Sequence, residues 1–150
     1  MEVSGQIGAV LAQKKDRTVW SIAPEATVFE AIELMAQKNV GALPVVDNGR
    51  LTGIISERDY TRKVILKGKS SKEIPVKEIM TDEVLTVETS VGVTESMRIV
   101  TERRVRHLPV MDKNKLVGIL SIGDLLKWTI SAQRLAIDNL DRFITGNEPS

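Results

Sequence analysis

A chain of 150 residues suffices for one compact domain or two very small ones, and 42% apolar with 27% charged residues is ordinary for a soluble globular protein. Lys plus Arg is 21 against 20 for Asp plus Glu, a net charge of +1 that argues against a protein coating nucleic acid, and five aromatics leave little for stacking bases. The absence of Cys excludes a disulfide scaffold, a thiolate zinc site and a cysteine nucleophile, and His107, the only histidine, cannot build a multi-histidine metal site within one chain. No apolar run reaches the ~18 residues of a membrane span, and the start lacks the basic and apolar regions of a signal peptide. The expectation is a cytoplasmic protein with neither nucleic acid nor membrane as partner.

In chain order, Ile7, Val10 and Leu11 have the spacing of a short helix. Lys14 to Arg17 form a loop. Thr18 to Ile22 is a short β-rich run. From Pro24 to Lys38 the apolar positions Val28, Ala31, Ile32, Met35 and Ala36 mark a helix, with Thr27 as N-cap and Glu30 three residues on. Ala42 to Val46 reads as a strand, Asp47-Asn48-Gly49-Arg50 as a hairpin turn whose Asn-Gly pair supplies positive φ, and Leu51 to Ser56 as the returning strand. A helix follows from Glu57 to about Leu66. Lys67 to Pro75, rich in Lys, Ser and Gly, reads as a linker, and Val76, Ile79 and Met80 echo the first short helix.

The chain then repeats itself. A shift of 65 aligns Val19 to Ile65 with Val84 to Ile130 without a gap, and 14 of the 47 positions are identical. Chance would give roughly three, so the duplication is real. Val84 to Val87, Glu95, Leu108 to Met111, the turn Asp112-Lys113-Asn114-Lys115, Leu116 to Leu120 and a helix from Ile122 restate the first copy, so each copy is β-α-β-β-α. Ser131 to Gly146, with Leu135, Ala136, Leu140, Phe143 and Ile144, reads as a further amphipathic helix ended by Gly146. The boundaries are 7–66 for the first repeat, 67–75 for the linker, 76–130 for the second repeat and 131–146 for the C-terminal helix.

Chemistry concentrates in Gly53-Ile-Ile-Ser56-Glu-Arg-Asp59 and Gly118-Ile-Leu-Ser121-Ile-Gly-Asp124, where a strand hands over to a helix. One reading is a capping box, Ser as N-cap with the acid closing on its backbone. The other is a binding site. A helix N-terminus attracts an anion and a carboxylate accepts from paired sugar hydroxyls. The readings agree on Ser and compete for Asp.

The duplicated unit, the strands Ala42-Leu43-Pro44-Val45-Val46-Asp47 and His107-Leu108-Pro109-Val110-Met111-Asp112, and the two Gly-x-x-Ser-x-x-Asp endings resemble a tandem pair of CBS domains, a Bateman module, of the small stand-alone type. The resemblance covers roughly Ile7 to Trp128. It implies an α+β fold of two CBS repeats related by a pseudo-two-fold axis. It also implies a sensor of adenosyl compounds (AMP, ADP, ATP or NAD/NADH) that is regulatory rather than enzymatic, needs no catalytic cofactor, and works as a homodimer on a partner protein the sequence does not name. In that family each cleft draws on both repeats. Carried over, one cleft takes Ser56, Arg58 and Asp59 with Leu85, Val105, Arg106, His107 and Pro109. The other takes Ser121 and Asp124 with Trp20, Val40, Gly41, Ala42 and Pro44. Asp59 and Asp124 would hold ribose hydroxyls, and the apolar strand positions would sandwich adenine.

The clefts so drawn differ in charge. Gly123, Gly41 and Ala42 stand in one where Arg58, Arg106 and His107 stand in the other, and guanidinium forks suit phosphate. Against this, Arg103, Arg104 and Arg106 also read as a solvated face, and Lys14 and Lys15 offer charge to the second cleft. Nothing supports His107 as a lone catalyst. Trp20 reads equally as core or ligand wall, and Trp128 as packing between helices. Val28, Ile32, Met97, Val100, Leu125 and Leu126 are candidate dimer contacts. The rival to a nucleotide sensor is a structural dimerisation module with vestigial clefts.

Overall fold

The computed structural model describes residues 5–14 and 18–145. In chain order its elements are α1 (Ile7–Ala12), α2 (Val28–Lys38), β1 (Ala42–Asp47), β2 (Arg50–Ser56), α3 (Glu57–Tyr60), β3 (Val87–Glu88), α4 (Val93–Arg103), β4 (His107–Asp112), β5 (Lys115–Ser121) and α5 (Ile122–Thr145). They form two compact units. One is Thr18–Thr86; the other joins the N-terminal segment, with α1, to the residues from Val87 onward.

In the Thr18–Thr86 unit, Thr27 and Glu30 form a reciprocal capping box at the start of α2, and Asn39 ends it in the left-handed region at φ 54°. β1 and β2 pair antiparallel through a turn with Asn48 and Gly49 at φ 51° and 79°. Those positive values fit the right-handed twist of the flanking strands, as the Asn-Gly pair predicts. The amphipathic face of α2 puts Val28, Ala31 and Met35 against Leu43 and Val45 of β1 and Ile55 of β2, all at most 1% exposed. Thr18 to Ile22 adds no strand; only Ile22 bridges to Val45, in parallel. The helix expected from Glu57 to Leu66 is α-helical only to Tyr60 and continues as a π turn over Thr61–Ile65, with Val64 buried.

The second unit restates this. Arg104 ends α4 at φ 54°, as Asn39 ends α2, and Lys113 and Asn114 take φ 50° and 66° in the turn between β4 and β5. The bulge at Val45/Val46 recurs at Val110/Met111. The bridge at Ile22 becomes β3, which pairs parallel with β4. Gly92 replaces Thr27 as N-cap and has no side chain to offer, so Glu95 pairs instead with Arg98 on the exposed face of α4.

The flanks are exchanged between the copies. The segment that precedes the second repeat covers the first: Val76 N donates to the Ala26 carbonyl at 2.7 Å, and Ile54 exchanges backbone hydrogen bonds with Thr81. The expected linker is part of this cover. Val28 N donates to Ile74, Phe29 N to Ser71, and Ile74 is buried. Val76, Ile79 and Met80 supply one 3-10 turn, Val76–Glu78, rather than an α-helix. The segment that precedes the first repeat covers the second: Ile7 N donates to Val91 and Gly8 N to Thr89, and Leu11 lies on Gly118.

The helices read separately at Ile122 and Ser131 are one, because no Gly or Pro follows Gly123 before Thr145. Gly146 and Lys15 lie outside the described residues. Val28, Val100 and Leu125 are core residues, 0%, 4% and 1% exposed, so their apolar character serves their own unit and not a dimer contact.

Two outcomes follow from this packing. Ser96 is fully buried and its hydroxyl has no hydrogen-bond partner, whereas its counterpart in the first repeat is the buried Ala31. Ser96→Ala is therefore expected to stabilise the protein by about 1 kcal/mol in urea denaturation, by removing an unsatisfied buried hydroxyl; a loss of stability would contradict the packing. A Cβ at Gly53 would stand 2.9 Å from the Thr81 carbonyl oxygen, backbone that cannot turn aside, whereas a Cβ at Gly118 meets only the tip of the Leu11 side chain. Gly53→Ala is expected to cost about 2–3 kcal/mol and Gly118→Ala about 1 kcal/mol, measured the same way.

Candidate functional site

Each hairpin hands its second strand to a helix through one serine and one aspartate. In the first repeat Asp59 N donates to Ser56 Oγ at 3.1 Å, and Asp59 Oδ2 accepts from Ser56 N at 2.9 Å and from Ser56 Oγ at 3.0 Å. Asp59 Oδ1 faces the Lys63 ammonium at 3.1 Å, one helical turn on, and Lys63 also donates to the Ile79 carbonyl at 2.8 Å. Ladder pairing sets Ala42 opposite Ser56, and Glu57 N donates to the Gly41 carbonyl at 3.1 Å. The entrance of β1 and the Ser–Asp bracket therefore form one local surface.

The second repeat builds the same bracket. Asp124 N donates to Ser121 Oγ at 3.1 Å, and Ser121 N donates to Asp124 Oδ2 at 2.8 Å. His107 stands opposite Ser121, and Ile122 N donates to the Arg106 carbonyl at 2.9 Å. The cation here comes from elsewhere. Lys14, just beyond α1, reaches Asp124 Oδ2 at 3.2 Å and donates to the Ile119 carbonyl at 3.0 Å. Where the backbone of Thr81 meets Ile54 in the first repeat, an ammonium meets the equivalent Ile119.

Both serine–aspartate pairs are thus capping boxes. That use leaves room for another, since a carboxylate has about four lone-pair directions and each bracket and its lysine occupy only part of them. In the second repeat Lys14 meets Asp124, and Arg106 and His107 stand at the strand entrance beside Ser121. Burial, first, pushes the His107 imidazole below its usual value of 6.5; Asp124 opposes the shift, and Lys14 and Arg106 add to it.

Pro44 and Pro109 are buried in β1 and β4. Val40 and Val105 are half-buried, their N–H groups bound to the Met35 and Val100 carbonyls. Trp20 is half-buried on the core of its unit, with the Lys38 ammonium 4.0 Å from its ring centroid. Leu85 is half-buried just before β3, and Arg58 is exposed on α3. Trp128 is half-buried, with its ring against Gly5. The two lysines that hold the carboxylates were the least visible part in the sequence. Lys63 had a signal, its i+4 spacing from Asp59. Lys14 reaches its partner only because α1 packs on the second repeat. Among the described residues no group of three or more His, Asp and Glu could hold a metal ion, and no helix is long and apolar enough to cross a membrane.

The family model for the CBS domain matches residues 15–65 and again 76–131. The chain is 42% identical over 125 residues to CBS domain-containing protein CBSX3, mitochondrial, of Arabidopsis thaliana, covering 80% of this chain and 61% of that protein, so it spans about three fifths of that relative's length. It is 36% identical over 107 residues to CBS domain-containing protein YhcV of Bacillus subtilis, covering 71% and 76%. Among solved structures it superposes with a TM-score of 0.83 and 47% identity on a CBS-domain protein from Burkholderia ambifaria described as a signal-transduction protein, covering 86% and 96% of the two chains. Two α+β repeats, each closing on the same Ser–Asp bracket, together with these matches, place the chain in the CBS-domain family. It is a tandem CBS module of the regulatory kind.

His107 yields a pH dependence. The folded protein keeps the imidazole neutral to lower pH than the unfolded chain does. The associated stability is complete above about pH 6.5 and is lost as the pH falls from there through the depressed folded pKa. The melting temperature should fall between about pH 7.5 and pH 5.5, and His107→Ala, which installs the residue the first repeat carries as Ala42, should flatten that slope. Equal slopes for the two proteins would show that His107 is not the titrating group.

Proposed function

We propose that the chain is a sensor of adenosyl nucleotides, AMP, ADP, ATP or NAD(H), that signals occupancy to a regulated protein by a change of conformation and catalyses no reaction. The observation that carries this reading is the repeated bracket: in both repeats an Asp carboxylate stands at a helix start, fixed by its own serine and a lysine, beside a strand entrance. A carboxylate held this rigidly suits two vicinal ribose hydroxyls, because little side-chain entropy is lost on binding. A group tied into a helix cap and an ion pair is adapted to hold rather than to transfer protons, which favours binding over catalysis.

In this reading Asp59 and Asp124 accept from ribose. Ser56 and Ser121, at the starts of the helices that follow them, face phosphate. Gly41, Ala42, Val40, Pro44 and Trp20 in one repeat, and Val105, Pro109 and Leu85 in and before the other, supply backbone edges and apolar walls for adenine. Arg58 and Arg106 add positive charge for polyphosphates, and the neutral His107 imidazole offers a ring N–H as donor. Ligand that binds one conformation better than another shifts the population toward it, and the partner reads the shift.

Thermal melts with AMP, ADP, ATP, NAD, NADH and S-adenosylmethionine test this. At 100 times its dissociation constant a ligand adds about 2.7 kcal/mol, and guanine or pyrimidine nucleotides should add less. Asp59→Ala and Asp124→Ala should each reduce the ligand-dependent shift beyond the loss of the cap itself. Arg58→Ala or Arg106→Ala should weaken ATP binding roughly 10- to 100-fold, for a lost charge-assisted contact of ~1.5–3 kcal/mol, with less effect on adenosine. Melting curves unchanged by millimolar AMP, ATP and NAD would leave the module a structural dimerisation unit.

A further inference from the structure

The match to the CBS-domain model ends at residue 131, yet α5 runs unbroken to Thr145. From Leu126 onward this helix carries an apolar seam of its own. Leu126, Ile130, Ile137, Leu140 and Ile144 are 48%, 51%, 63%, 59% and 73% exposed. With Gln133 they fall at alternating four- and three-residue steps, the a and d positions of a heptad, on one narrow stripe about 27 Å long. Of the other large apolar residues exposed beyond Ile130, Phe143 flanks the stripe and Leu135 lies on the opposite side. The buried Leu125 and Thr129 lie to one side of the seam, so the packing of α5 on its own unit leaves the seam uncovered.

We propose that this seam is the docking surface for a second copy of the chain, which pairs with it as a parallel, in-register two-stranded coiled coil. The residue types select the occupant. Ile at the a positions 130, 137 and 144 with Leu at the d positions 126 and 140 is the combination that favours two parallel strands. Gln133 selects the register. In parallel it meets its own counterpart, and two carboxamides can each donate and accept; in the antiparallel alternative it faces Ile137 and is left unsatisfied. The seam is shorter than three full heptads, so it works as an extension of a folded module and not as a free-standing helix pair.

The chain contains no Cys, so Leu140→Cys introduces a single thiol at an exposed site. In the full-length protein at micromolar concentration, mild oxidation should link two copies through this residue. Adding Ile137→Asp, also at an exposed position, should abolish the link while the circular dichroism spectrum stays that of the folded parent. Three results would overturn the proposal: no crosslink with Leu140→Cys, a crosslink insensitive to Ile137→Asp, or crosslinking only between mixed Ile130→Cys and Leu140→Cys chains, which marks antiparallel packing. A monomeric chain that binds phosphatidylcholine–phosphatidylglycerol vesicles, and loses binding with Ile137→Asp, would assign the seam to a lipid surface instead.

Discussion

A repeat of some sixty residues makes a hairpin and two helices but too little surface to cover its own far strand. That constraint shapes the rest of the molecule. Each copy borrows its cover from the segment that precedes the other copy, and glycine makes the close approach possible: Gly53 under Met80 and Thr81, Gly118 under Leu11. In one unit the borrowed segment joins the first hairpin through Ile54 and Thr81. In the other it delivers Lys14 to the Asp124 carboxylate. The exchange means that neither repeat can be cut from the chain with its own flank and keep its core.

The same exchange makes two nearly identical brackets electrostatically different. Asp59 is held by a lysine of its own helical turn, which also donates to the Ile79 carbonyl. Asp124 is held by a residue more than a hundred positions away, with His107 and Arg106 nearby. A ligand that competes for Asp124 competes with Lys14, and through it with the seating of α1. Occupancy there can thus be felt by the segment that packs the hairpin, a physical route from binding to a change in shape. The first repeat has the corresponding link in weaker form, through Lys63 and the Ile79 carbonyl.

Much of the fold was legible because the signals were local and stated twice. The Asn-Gly turn, the Thr27–Glu30 box and the apolar spacing of α2 each name their structure from a few adjacent residues, and the 65-residue repeat carried the assignment to the second copy even where Gly92 lost the cap. What was not legible depended on distant chain. The segment from Lys67 to Pro75 looks like a polar linker because its anchoring is by backbone, through Ser71 and Ile74, which composition does not report. The π turn after Tyr60 carries Val64 into the core, and no local signal in the sequence marks it. Val28, Val100 and Leu125 looked available for a partner because helical periodicity shows which face is apolar but not what covers it. At the site, serine and aspartate were visible as a motif, whereas Lys14 could be found only once α1 was known to lie on the second repeat.

The central claim is that the two Ser–Asp brackets, with the strand entrances beside them, are the surfaces that take a nucleotide. Amide chemical shifts of the isotope-labelled protein during titration with AMP test it most directly, since they report each backbone N–H separately. The account predicts saturable shifts concentrated at Gly41–Ala42, Ser56–Asp59, Arg106–His107 and Ser121–Asp124, with smaller changes reaching Lys14. Absence of saturable shifts, or shifts confined to the outer faces of α4 and α5, would contradict it.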